Sequence, residues 1–76
     1  MARVPPKEQF QKKLGKQVAK LRHAAGMTQD DLAERCGKEK QNISRLETGR
    51  ANPTAFFLAE VAAALEVPVK ALLDFE

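Results

Sequence analysis

Within the short stretch from Glu39 to Glu47 lie Lys40, Gln41, Ser44 and Arg45, side chains suited to hydrogen bonding rather than to bond making. A glutamine amide carries a donor and an acceptor side by side, so Gln41 can pair bidentately with adenine. Lys40 and Arg45 can donate to guanine or to phosphate. Ile43 and Leu46 are interleaved with them at three-residue spacing. On a helix those two turn inward, and Glu39, Lys40, Gln41, Ser44 and Arg45 are left pointing outward or sideways. A helix with one such polar face fits the width of the B-DNA major groove.

Residues that could do covalent chemistry are scarce. Cys36 is the only cysteine, so neither an intramolecular disulfide nor a four-cysteine metal site can form. It lacks the His or acid partner of a nucleophile and reads as a small filler at a helix end. His23 stands alone beside Arg22 and reads as a surface or packing residue. Asp30 and Asp31 are adjacent, so they point in different directions on a helix and are not a catalytic carboxylate pair; cap and dipole roles explain them. The expectation is a protein that is not an enzyme, with no metal, no cofactor and no small-molecule ligand.

Helices must position these groups. Alanine occurs twelve times and leucine eight, Trp and Tyr are absent, and no alternating run of strand length appears. Pro5 and Pro6 punctuate the entry to a first segment, Lys7 to Ala25, whose Phe10, Leu14, Val18, Leu21 and Ala25 recur at helical spacing. Lys12, Lys13, Lys16 and Lys20 lie largely off that stripe and read as a solvated face. Gly26 ends it. A second segment opens at Thr28, a hydroxyl cap followed by acids in the first turn, and stops near Cys36-Gly37. The third runs from Glu39 to Glu47. Thr48 to Pro53 is a loop by composition. The fourth starts at Thr54 and presents Phe57, Leu58, Val61, Ala62 and Leu65. Val67-Pro68 breaks the chain before a short fifth segment, Val69 to Asp74, carrying Leu72 and Leu73. Two short helices around a turn at Gly37, within Thr28 to Glu47, make the helix-turn-helix pattern.

Length and charge set bounds on this reading. Seventy-six residues make one small domain, and a chain of this size buries only about 60% of its unfolded surface. Residues 1–50 hold 12 Lys+Arg against 6 Asp+Glu, a balance of +6, while residues 51–76 hold 1 against 4, a balance of −3. The first part suits a polyanion, and the second is acidic and rich in Ala, Leu and Phe. No apolar run is long enough to span a membrane, and Met1 to Pro6 leads into charged sequence without a signal-peptide core, so a cytoplasmic location is expected.

At this point the sequence resembles a known family. Met27-Thr28-Gln29-Asp30-Asp31-Leu32-Ala33-Glu34-Arg35-Cys36-Gly37, then Asn42-Ile43-Ser44-Arg45-Leu46-Glu47-Thr48-Gly49-Arg50, then Asn52-Pro53-Thr54, is similar to the Xre/Cro-type phage-repressor helix-turn-helix family over roughly Leu14 to Leu73. The resemblance implies an all-α, five-helix bundle of the lambda-repressor-like kind that binds operator DNA, usually as a two-fold dimer. It implies that Lys40, Gln41, Ser44 and Arg45 read bases, and that Gln29, Asn42, Arg50 and Asn52 touch phosphate. It also implies a structural ion pair between Arg22 and Glu47. Two residues depart from the family pattern. Lys38 stands where an apolar residue is usual; its stem can pack while its ammonium reaches toward phosphate. Glu39 stands at the usual Ser, Thr or Asp cap position, and its carboxylate repels DNA unless it accepts from cytosine N4.

These readings combine into one expectation. Residues 1–6 form an arm, and residues 7–76 form a DNA-binding domain with its motif at about 28–47. The protein is a sequence-specific transcriptional regulator that binds double-stranded DNA as a homodimer, with Phe56, Leu72 and Phe75 on the dimer surface. Two-fold dimers of this motif place half-sites about 34 Å apart, so the operator is a pseudo-palindrome. The alternatives are the antitoxin half of a toxin–antitoxin pair, reusing the fold for protein contacts, and a restriction–modification controller.

Overall fold

The computed structural model describes residues 3–75; Met1 and Ala2 of the expected arm, and Glu76, lie outside the described residues. Five helices follow in order: α1 (Lys7–Ala24), α2 (Gln29–Cys36), α3 (Lys40–Glu47), α4 (Ala55–Leu65) and α5 (Val69–Leu72). No strand occurs among the described residues. The fold is an all-α bundle containing a helix-turn-helix.

The apolar spacing in the sequence is what builds the core. Leu14 and Val18 of α1 meet Leu32 and Ala33 of α2, Ile43 and Leu46 of α3, Val61, Ala62 and Leu65 of α4, and Leu72 of α5 in one cluster. Burying an aliphatic side chain of this kind is worth about 1.5–3 kcal/mol relative to leaving it in water. α1 packs on α3 and α5, α2 packs on α3 and α4, and α4 packs on α5. α1 is tied to α5 by Gln17 Nε2, which donates to the Ala71 carbonyl at 2.9 Å.

Local signals set the helix ends. Thr28 closes a capping box on α2: its hydroxyl oxygen accepts from the Asp31 N–H, and the Asp31 carboxylate accepts from the Thr28 N–H. Two of the orphan donors at the helix start are thereby satisfied. α2 stops where Gly37 adopts φ 66°. The Lys38 N–H then donates to the Ala33 carbonyl and that of Gly37 to Glu34, the paired bonds of a Schellman turn. Glycine is the residue that reaches this left-handed conformation without a Cβ penalty. Thr54 caps α4 through the Phe57 N–H. α3 has no such help, because its N-cap Glu39 makes no side-chain cap bond.

Two adjacent leucines in the last helix behave differently. Leu72 is fully buried, whereas Leu73 is 44% exposed. Leu72, expected on a dimer surface, is a core residue instead. α5 spans one turn, so there is no periodic stripe in the sequence to show which leucine faces in. Phe75 is half-buried, its ring edge-on to Phe10 with centroids 5.4 Å apart.

Candidate nucleic-acid interface

The outward side of α3 carries the groups that could read a duplex. Lys40, Gln41 and Arg45 are exposed, Asn42 and Ser44 are half-buried, and Ile43 and Leu46 anchor the inner side. The exposed groups are not idle. Gln41 Nε2 donates to Glu39 Oε2 at 3.0 Å. The Lys40 ammonium lies 3.9 Å from the Asp30 carboxylate across the motif, an exposed and solvent-screened pair.

Beside this face, Lys38, Asn42, Arg45, Arg50, Asn52 and Phe57 line an open hollow of about 450 Å³. The hollow joins the end of the motif to the loop before α4 and to the start of α4. Its rim is cationic and amide-bearing, as a phosphate seat requires. Arg50 is steered there by its neighbours. Its N–H donates to the Arg45 carbonyl at 2.9 Å, and its Nε donates to Thr48 Oγ1 at 3.0 Å. Thr48 Oγ1 donates in turn to the Ser44 carbonyl at 2.8 Å. Lys38 is engaged from within: its ammonium sits 3.3 Å from Glu60 Oε1 and 5.8 Å from the Phe57 ring centroid. In the isolated chain its charge is partly neutralised, where the sequence suggests a free reach toward phosphate.

The inner end of α3 is held by charge. Arg22 of α1, 8% exposed, donates from Nε to Glu47 Oε2 at 2.6 Å and from Nη2 to Oε1 at 3.0 Å. Its Nη1 donates to the Met27 carbonyl at 2.8 Å. The hydrogen bond to Glu47 raises the Arg22 pKa above its ordinary value, so the guanidinium stays charged despite its burial. Gln29 Nε2 donates to Glu47 Oε1 at 3.0 Å. The resemblance assigns Gln29 to phosphate, yet here its amide nitrogen braces the ion pair. Among the described residues, no buried side-chain nitrogen or oxygen lacks a hydrogen-bond partner, which a buried ion pair requires if it is not to destabilise the fold.

A glycine that sequence reasoning passes over makes this seam possible. Gly15 lies mid-helix in α1, and a Cβ there would fall 2.5 Å from the Leu46 carbonyl oxygen. α1 therefore approaches the last turn of α3 backbone to backbone. The available signal is an isolated glycine inside an otherwise helical pattern, which marks a close approach as readily as a weak point.

The acidic third presents its apolar groups unevenly. Phe56 is 73% exposed at the start of α4, and Val69 and Leu73 are exposed around α5. Phe57 turns in and is half-buried. Of the three residues expected on a dimer surface, Phe56 is largely exposed, Phe75 is half-buried, and Leu72 presents nothing.

A bundle in which α1 and α4 clamp a short-helix, tight-turn, short-helix unit defines a helix-turn-helix protein of the Xre/Cro type. The family model described as "Helix-turn-helix domain" matches residues 13–74, and the chain belongs to that family. It is 44% identical over 58 residues to the uncharacterized HTH-type transcriptional regulator y4dJ of Sinorhizobium fredii, a match spanning 76% of this chain and 75% of the relative. Its fold resembles that of the restriction-modification controller protein C.AhdI from Aeromonas hydrophila, with a TM-score of 0.79 at 28% identity, over 80% of this chain and 92% of that one. It also resembles the restriction-modification controller protein C.Esp1396I, solved as a tetramer with its natural 35 base-pair operator. That match has a TM-score of 0.74 at 29% identity, over 86% of this chain and 96% of the other.

Proposed function

We propose that this chain is a sequence-specific DNA-binding transcriptional regulator, acting in the cytoplasm as a homodimer on a pseudo-palindromic operator. The observation that carries the reading is the two-sidedness of α3: one side is locked into the bundle, and the other offers Lys40, Gln41 and Arg45 to solvent. Lys40, Gln41, Ser44 and Arg45 face the base edges in this reading. Asn42, Arg50 and Asn52 line the hollow where a phosphate is received. Lys38 joins them by exchanging Glu60 for phosphate, and Gln29 contributes through its position beside Glu47. Base contacts then supply sequence preference, and phosphate contacts supply affinity and register. Residues 7–76 form the DNA-binding unit, preceded by an arm at 1–6. The second copy is received on the acidic side, through Phe56 and Phe75, with exposed Leu73 taking the part first expected of Leu72.

The protein is a binder rather than a catalyst in this reading. Burial pushes the Cys36 thiol up from its ordinary pKa, with the nearby Glu60 charge adding to the effect. That keeps its sulfur protonated and weakly nucleophilic. The solved neighbours include restriction–modification controllers as well as transcription factors, so a controller is one version of this function.

Selection of bound duplexes from a random pool tests the proposal. The expected product is a two-fold motif with half-sites about one helical turn, or 34 Å, apart. Binding to it should fall steeply with salt, with a log–log slope of about 0.9 per phosphate contacted. A pool with no preferred sequence, or a flat salt response, would falsify it. The controller version predicts that the motif lies upstream of a nuclease or methyltransferase gene.

A further inference from the structure

Glu39 occupies the N-cap of α3, but its side chain caps nothing; its Oε2 accepts from Gln41 Nε2 instead. The neighbouring helices show what is forgone. α2 and α4 begin with Thr28 and Thr54, each accepting a backbone N–H. Only the helix that faces the duplex carries a glutamate there. Among the described residues, no lysine or arginine forms an ion pair with it, and the adjacent Lys40 is drawn to Asp30. Both Glu39 and Gln41 are exposed. Their contact is therefore an acceptor and an amide set side by side at the outer start of α3.

That contact fixes the sense of the amide. An ionised carboxylate is an acceptor only, so the nitrogen of Gln41 faces Glu39, and turning the amide over would set two acceptors against each other. Nε2 carries two hydrogens, and one is committed to Glu39. An incoming base meets the other N–H and the Oε1 acceptor.

An unconstrained glutamine can address a purine in two ways. It can donate one N–H to adenine N7 while accepting from N6, or it can donate both hydrogens to guanine N7 and O6. With one hydrogen held by Glu39, only the adenine mode is complete.

We infer that Glu39 is a specificity-determining positioning residue, which holds the Gln41 amide so that it reads adenine and rejects guanine at its base pair. The inference rests on the DNA-reading function proposed above and adds the base that one position selects.

The test uses the full chain. Random-pool selection with the unsubstituted protein and with Gln41→Ala locates the base pair that Gln41 reads. Duplexes with A·T or G·C at that pair are then titrated with Glu39→Ala, Glu39→Gln, and Glu39→Ala combined with Gln41→Ala, with thermal melts to confirm folding. The unsubstituted chain should prefer adenine by about tenfold, the scale of one bidentate contact. Glu39→Ala should bring the two duplexes to within about twofold, chiefly by gaining on the guanine duplex, if one such contact governs the choice. Glu39→Gln keeps an acceptor and should retain part of the preference. In the Gln41→Ala background, Glu39→Ala should move both duplexes equally. An adenine-to-guanine ratio that ignores Glu39, a change that persists without Gln41, or a native preference for guanine at that pair overturns the inference. A native chain that selects no motif overturns the DNA-reading function itself, and that result is distinct from a clear motif indifferent to Glu39.

Discussion

At its last turn, α3 is gripped by a buried arginine, a supporting glutamine and a glycine that lets another helix backbone touch it; at its first turn it has an uncapped start and exposed side chains bonded to one another. The same eight-residue helix thus has a braced end and an open end. The contrast teaches how a chain this small combines rigidity with recognition. The groups that fix the helix angle are hidden between α1, α2 and α3, and the exposed Lys40, Gln41 and Arg45 take no part in holding it. The long, exposed Lys40–Asp30 ion pair adds little stability because water screens it, so Lys40 can exchange it for a contact with DNA at small loss.

The sharpest way to break this contrast is to remove the charge at the braced end. Glu47→Ala strands Arg22 in a buried site and should destabilise the fold by about 3–5 kcal/mol, measured by urea unfolding. A loss comparable to that of a surface substitution would show that α3 is held by apolar contacts alone. Next in size, Gly15→Ala should cost about 1–3 kcal/mol through overpacking against the Leu46 carbonyl, outweighing a gain of about 1 kcal/mol in helix propensity. A more stable variant would mean that the seam yields.

Exchanging the caps sharpens the contrast at the open end. Thr28→Ala removes a working cap and should lose about 1 kcal/mol. Glu39→Ser supplies a cap where none exists and should gain up to about 1 kcal/mol. If Glu39→Ser instead destabilises the chain, α3 already uses its glutamate structurally and the two ends are alike.

The smallest effect concerns pH. The hydrogen bond from the Thr28 N–H holds the Asp31 carboxyl below the usual carboxylate range. A depressed folded pKa contributes stability above the unfolded value of about 3.9, and the contribution is lost as pH falls through the lower folded value. Asp31→Asn should therefore flatten the acid side of a melting-temperature profile while leaving its neutral part nearly parallel to that of the unsubstituted chain. Equal acid slopes in the two proteins would show that the capping box does not form in solution.

Much of the bundle is written in spacing. Leu14 and Val18 recur on the stripe that the core uses, and Thr28, Gly37 and Thr54 mark helix boundaries by chemistry that needs no tertiary context. Boundaries differ by a residue where a cap extends the helical pattern, as at Glu39. What is hidden in the sequence depends on partners distant along the chain. Gly15 looks like a weak point until the Leu46 carbonyl arrives beside it. Lys38 looks free until Glu60 of α4 is placed against it. Leu72 and Leu73 cannot be told apart without the rest of the bundle. The outward set on α3 follows from the inward pair Ile43 and Leu46, but the pairing of Glu39 with Gln41 depends on side-chain direction, which periodicity does not carry.

The bond from Gln17 to Ala71 bears on how such a chain can diversify. Its acceptor is a backbone carbonyl, present whatever residue occupies position 71. α5 is thereby moored by one main-chain contact and the buried Leu72, leaving Val69, Lys70 and Leu73 on its outside without a part in the mooring. Those positions can drift, duplicate and re-specialise while the helix stays in place.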